Sequence, residues 1–131
     1  MFSLRKLIRS FGFAIKGIGL VFKSEQNFRI HILASIVVVA AGIFFKVAVW
    51  QWCLLISMIL LIFLLEIVNT AFERMVDMLQ PRVHLYAGEI KNMMSAMVLI
   101  AAIGSIIIAW LIFGPHLTTF FIMLSKVTGK F

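Results

Sequence analysis

Glu66, Asn69, Glu73 and Asp77 follow one another at intervals of three, four and four residues. On a helix those intervals keep all four side chains within an arc of roughly 80°. A face with three carboxylates and a carboxamide repels itself unless a cation sits on it, and such hard oxygen donors suit Mg2+ better than zinc. Glu66 differs from the other acids because Leu64 and Leu65 directly precede it. Partial desolvation at that position suits a carboxylate to take a proton as general base. The competing explanation is a solvated face whose acids pair with Arg74, Arg82 or Lys91.

Two further clusters flank this face. Glu25, within Glu25-Gln26-Asn27-Phe28-Arg29-Ile30-His31, is the only acid before residue 66. It either pairs with Lys23 or Arg29 or faces Glu73, in which case two carboxylates would share one metal ion. Lys91, within Glu89-Ile90-Lys91-Asn92-Met93-Met94-Ser95, either anchors a helix at the membrane edge or reaches a phosphate oxygen. Other signals are absent. Gly12 and Gly17 match the outer glycines of a phosphate loop, but Ile18-Gly19 follows where Lys and Ser/Thr are required. His31, His84 and His116 have no zinc spacing, so no histidine metal site is expected.

The elements that must position these residues are set by composition. Of 131 residues, 63% are hydrophobic and 13% charged, with a mean hydropathy of +1.14. Soluble domains carry about 25% charged residues, so a water-soluble globule is excluded. The net charge of +7 implies anionic headgroups or anionic substrates rather than nucleic acid, because no soluble basic domain is present to hold one. Cys53 stands alone, so no internal disulfide can form. The long apolar runs begin only at Ile30, which argues against a cleaved signal peptide.

From Leu4 to Lys23 a helical wheel sets Leu4, Leu7, Ile8, Phe11, Ile15, Ile18 and Phe22 opposite Arg5, Arg9, Lys16 and Lys23. This is an amphipathic helix suited to the headgroup plane. Three spans are expected at about 30–46, 47–66 and 93–113, with Gly114-Pro115 stopping the third and Leu117 to Leu124 left as a dangling or interfacial tail. The fold class is thus an all-α membrane protein, an N-terminal surface helix at 1–29 plus three transmembrane helices, forming one domain over 1–131. A protomer this small has little room to enclose a site alone, so an oligomer is expected. Cations concentrate before the first span and in the loop holding Arg74, Arg82 and Lys91, which sets the N-terminus and that loop inside and the C-terminus outside.

The run Glu66-Ile67-Val68-Asn69-Thr70-Ala71-Phe72-Glu73-Arg74-Met75-Val76-Asp77 resembles the signature of the prokaryotic diacylglycerol kinases and their undecaprenol kinase relatives. Glu25 with Asn27-Phe28-Arg29-x-His31, His84, and Lys91 with Ser95 fall at that family's order and spacing. The resemblance covers about Lys6 to Phe113, and its Asn-Phe-Arg-x-His version is closer to the undecaprenol kinase branch. It implies a homotrimeric kinase of the bacterial cytoplasmic (inner) membrane that moves the γ-phosphoryl group of ATP, with Mg2+, onto a lipid hydroxyl in composite sites between subunits. By position Glu66 would be the general base, and Glu25 and Glu73 would hold the metal and nucleotide. Asn69 and Ser95 would order the lipid side. Lys6, Phe13, Asp77, His84, Lys91 and Asn92 would contact or organise the nucleotide. Asn92 stands where the family usually carries Asp, and Phe13 where some members carry Tyr. Two alternatives accompany the kinase reading: a member that binds nucleotide or lipid without turnover, and a small proton-coupled transporter.

Overall fold

The computed structural model describes residues 3–79 and 84–129 and is all helix and connecting turn among them. Four helices follow in order: α1 (Leu4–Ser24), α2 (Gln26–Phe44), α3 (Val49–Leu79) and α4 (His84–Thr128). Three of them, α2, α3 and α4, are long and apolar enough to cross a membrane. The fold class read from composition and periodicity is therefore the one observed. α1 carries its aliphatic stripe outward, with Leu4, Ile8, Phe11 and Ile15 all exposed and only Val21 buried. Such a stripe has lipid as its natural solvent.

The carboxylate face depends on α3 being one unbroken helix. It continues past the apolar segment through Glu66 and Asp77 to Leu79, so the register that aligns the four polar residues is kept. α4 packs along α3, and α2 closes the third side. Lipid tails are as apolar as the side chains they would replace, so these helices associate through close packing rather than hydrophobic expulsion. Gly42 shows this directly. A Cβ added there would lie 2.7 Å from Cη2 of Trp52, and an indole ring cannot yield as a flexible side-chain end can. Gly42→Ala is expected to lower stability by about 1–3 kcal/mol through overpacking. Thermal unfolding in detergent measures the loss, and Trp52→Leu added to Gly42→Ala should recover most of it.

The α2–α3 turn is a Schellman motif. The Val47 amide donates to the Gly42 carbonyl at 3.1 Å and the Lys46 amide to the Ile43 carbonyl at 3.2 Å. Lys46 takes the left-handed position, with φ 52°, where glycine is the usual residue. Val47 joins Leu55 and Ile112 in a small core beside this turn.

Two expectations are corrected. Gly114-Pro115 does not stop the last helix: α4 runs 45 residues with Pro115 inside it, about 68 Å at 1.5 Å per residue. Proline leaves the Leu111 carbonyl without its helical donor, and the helix nonetheless continues, with the Thr118 and Thr119 hydroxyls donating to the Pro115 carbonyl, each at 2.9 Å. Leu117 to Leu124 is accordingly helix and not a dangling tail. It is held at the α2–α3 turn by His116 stacked on Phe45 and by Phe120 edge-on to Phe44 and Phe45. The helices extend beyond the expected spans, since α2 starts at Gln26 and α4 at His84.

Candidate active site

Glu66 is the most deeply buried charged residue described, with 2% of its surface exposed. Its backbone carbonyl accepts the Thr70 hydroxyl at 2.9 Å. Its carboxylate meets α2, where Oε1 lies 3.3 Å from Nε2 of His31. The contact is not an aligned hydrogen bond, and Oε1 has no other partner among the described residues. One turn along, the Asn69 amide donates from Nδ2 to Glu73 Oε1 at 3.1 Å, while Asn69 Oδ1 is buried without a partner among the described residues. Glu73 is half-buried and Asp77 exposed, so the face grades from closed to open along α3.

Glu25 stands at the α1–α2 junction, between the end of α1 and the start of α2. Its amide caps α1 by donating to the Val21 carbonyl at 2.8 Å, and the residue is half-buried. Arg29, one of the cations weighed as its partner, donates to the carbonyls of Phe22 and Lys23 at 3.0 and 3.2 Å. Glu25 and Glu73 instead act on Glu66 as like charges through space. Carboxylates and a carboxamide oxygen are the hard donor types that a divalent cation such as Mg2+ takes. No group of three or more His, Cys, Asp or Glu among the described residues is close enough to enclose a metal by itself. Any ion held here has to complete its shell with ligands from elsewhere, as Mg2+ does with phosphate oxygens and water.

At the open end of the face Lys91 of α4 forms an ion pair with Asp77 of α3. Among the described residues the solvated-pair explanation thus holds for Asp77 alone. Exposed pairs of this kind contribute little to stability, so the lysine can exchange its carboxylate for another anion at small cost. Asn92 and Ser95 follow on α4 and are exposed. Lys6 and Phe13 lie exposed on α1, where Arg9 sits over the Phe13 ring at 5.4 Å from its centroid. Neither makes a hydrogen bond or ion pair with the carboxylate face among the described residues. His84 is the first residue of α4, with its side chain outside the described set, and Arg82 lies outside the described residues altogether.

Two concavities adjoin the site. One, of about 610 Å³, is an apolar groove between α1, α2 and α3 lined by Ile18, Phe22, Phe28, Phe63 and Leu64. The other, of about 200 Å³, runs between α2, α3 and α4 with His31 and Ser35 on one wall and Ile62, Ala102 and Ser105 on the others. His31 is the neighbour of Glu66 to which the sequence assigns no role, although it belongs to the Asn27-Phe28-Arg29-x-His31 run. The available signal was an ionisable residue placed within an apolar span.

The sequence pattern of prokaryotic diacylglycerol kinase matches residues 12–113, a segment that contains every predicted site residue except Lys6. The chain is 32% identical over 114 residues to undecaprenol kinase of Bacillus subtilis (strain 168), spanning 87% of this chain and 93% of that protein. It is 33% identical over 111 residues to diacylglycerol kinase of Escherichia coli (strain K12), spanning 85% and 91%. The α4 segment beyond Phe113 lies outside the matched region.

Proposed function

The chain belongs to the prokaryotic diacylglycerol kinase family and is a membrane lipid kinase, and from that premise we propose that it transfers the γ-phosphoryl group of ATP to the hydroxyl of a membrane lipid alcohol, diacylglycerol or undecaprenol. The observation that carries this reading is Glu66: a buried carboxylate under the field of Glu25 and Glu73, where the apolar segment of α3 ends. Phosphoryl transfer asks a protein for in-line positioning, neutralisation of developing charge and an acceptor for the hydroxyl proton. Glu66 takes the proton. Glu25 and Glu73 would hold the metal, with Asn69 Oδ1, buried and unpartnered among the described residues, as a further oxygen donor. When bound, magnesium would neutralise charge on the phosphates. Lys91 leaves Asp77 for the nucleotide, and His84, Lys6 and Phe13 complete the nucleotide side together with Asn92. The apolar groove against α1 receives the lipid chains, and Ser95 and Asn69 order the acceptor.

The chain acts as one domain over 1–131, in the bacterial cytoplasmic membrane, with its N-terminus and active site on the cytoplasmic side and its C-terminus outside. The working unit is a homotrimer with composite sites between subunits, as the family resemblance implies. The test is lipid phosphorylation by purified protein in mixed micelles, using radiolabelled ATP with Mg2+ and either diacylglycerol or undecaprenol. Label on one lipid is the expected result and names the acceptor. No label on either, by folded protein that binds ATP, would overturn the proposal.

A further inference from the structure

We infer that His31 is a positioning residue for Glu66: it donates from Nε2 to Oε1 and so leaves the second carboxylate oxygen to face the acceptor hydroxyl. The inference rests on the reading of Glu66 as the base. It follows from what the neighbouring donors are already doing. The Thr70 hydroxyl is spent on the Glu66 backbone carbonyl, and the Asn69 amide is spent on Glu73. Oε1 is buried with no hydrogen-bond partner of its own, and a buried, unpaired carboxylate oxygen is costly. His31 Nε2, at 3.3 Å, is the polar atom within reach. A small change in side-chain torsion turns that approach into an aligned bond, and catalytic hydrogen bonds are often long before substrate arrives.

The placement of His31 gives it room to make that change. Its side chain is 21% exposed, against 3% for Glu66, and it borders the cavity between α2, α3 and α4. Its backbone carbonyl accepts the Ser35 hydroxyl at 2.7 Å, which occupies the hydroxyl one turn along α2. The imidazole is thus seated between a cavity and a single carboxylate. A carboxylate with two oxygens and a flexible stem needs one oxygen fixed if the other is to meet a hydroxyl in line with phosphorus, and small misplacements of reacting groups are expensive.

The test compares His31→Phe, which keeps the ring and loses the donor, with His31→Gln, which loses the ring and keeps an N–H donor. Lipid phosphorylation is measured with both substrates varied, alongside thermal unfolding. His31→Phe is expected to lower kcat by about 10²-fold with either KM changed less than about threefold. His31→Gln should recover kcat to within about fivefold of the parent protein. Activity of His31→Phe near the parent's, or a His31→Gln protein as slow as His31→Phe while equally well folded, would overturn the inference. A residue acting only by filling space would give the reverse order of rates. Glu66→Gln in the same assay separates the two levels: if that variant is fully active, the base assignment fails, and if it is inactive while His31→Phe is fast, only the role of His31 fails.

Discussion

Glu66→Gln is expected to reduce lipid phosphorylation by about 10²- to 10⁴-fold, the usual worth of a positioned general base, in a protein at least as stable as its parent. The two halves of this result have one cause. Glutamine has the same shape, so it fills the site between Thr70 and His31 without a cavity, yet it can neither carry the charge nor accept the hydroxyl proton. Glu66 is 97% or more withdrawn from solvent and faces Glu25 and Glu73. Removing its charge relieves both the burial of an ion and the repulsion from two like charges, and such a replacement is commonly neutral or stabilising. Had Glu66 a structural role alone, the same variant would lose stability and keep its rate. Phosphorylation kinetics together with the unfolding midpoint in detergent therefore decide the matter, with retained ATP binding as the control. A fully active Glu66→Gln protein would remove Glu66 from the chemistry.

How much of this was legible in the residues alone depends on the range of the interaction. The alignment of Glu66, Asn69, Glu73 and Asp77 follows from helical period, and α3 keeps that period without interruption. The three apolar helices follow from hydropathy in the same way. The fate of Pro115 did not follow, because what keeps α4 going is tertiary: Phe120 and His116 lean on Phe44 and Phe45, more than seventy positions earlier in the chain. The pairing of Asp77 with Lys91 was one of three options that sequence could not rank, since it depends on how α4 returns along α3. His31 was missed for the same reason. Its meaning lies in Glu66, a residue on another helix, and no local pattern joins the two. Lys6, Phe13, Asn92 and Ser95 mark the remaining limit. Their spacing resembles a family site, yet no hydrogen bond or ion pair joins them to the carboxylate face among the described residues.

The second large effect concerns the carboxylates that surround Glu66. Glu73→Gln and Glu25→Gln are each expected to lower the maximal rate by about 10²- to 10³-fold, in keeping with the several kcal/mol that a metal contributes to charge stabilisation. Each should also raise the half-saturating Mg2+ concentration by about tenfold or more. Both substitutions are mild for the fold. In Glu73→Gln the carbonyl oxygen still accepts the Asn69 amide, which now donates to Oε1 at 3.1 Å. In Glu25→Gln the α1 cap is a backbone bond to Val21 that no side chain supplies. What both variants lose is negative charge beside the orphaned Asn69 oxygen, which is the property a hard cation reads. A titration of phosphorylation rate against Mg2+, paired with Mn2+ binding followed by electron paramagnetic resonance, measures both effects in the same preparation. If either variant binds Mn2+ and depends on Mg2+ as the parent does, that carboxylate is not a metal ligand, and the like charges around Glu66 must serve the proton alone.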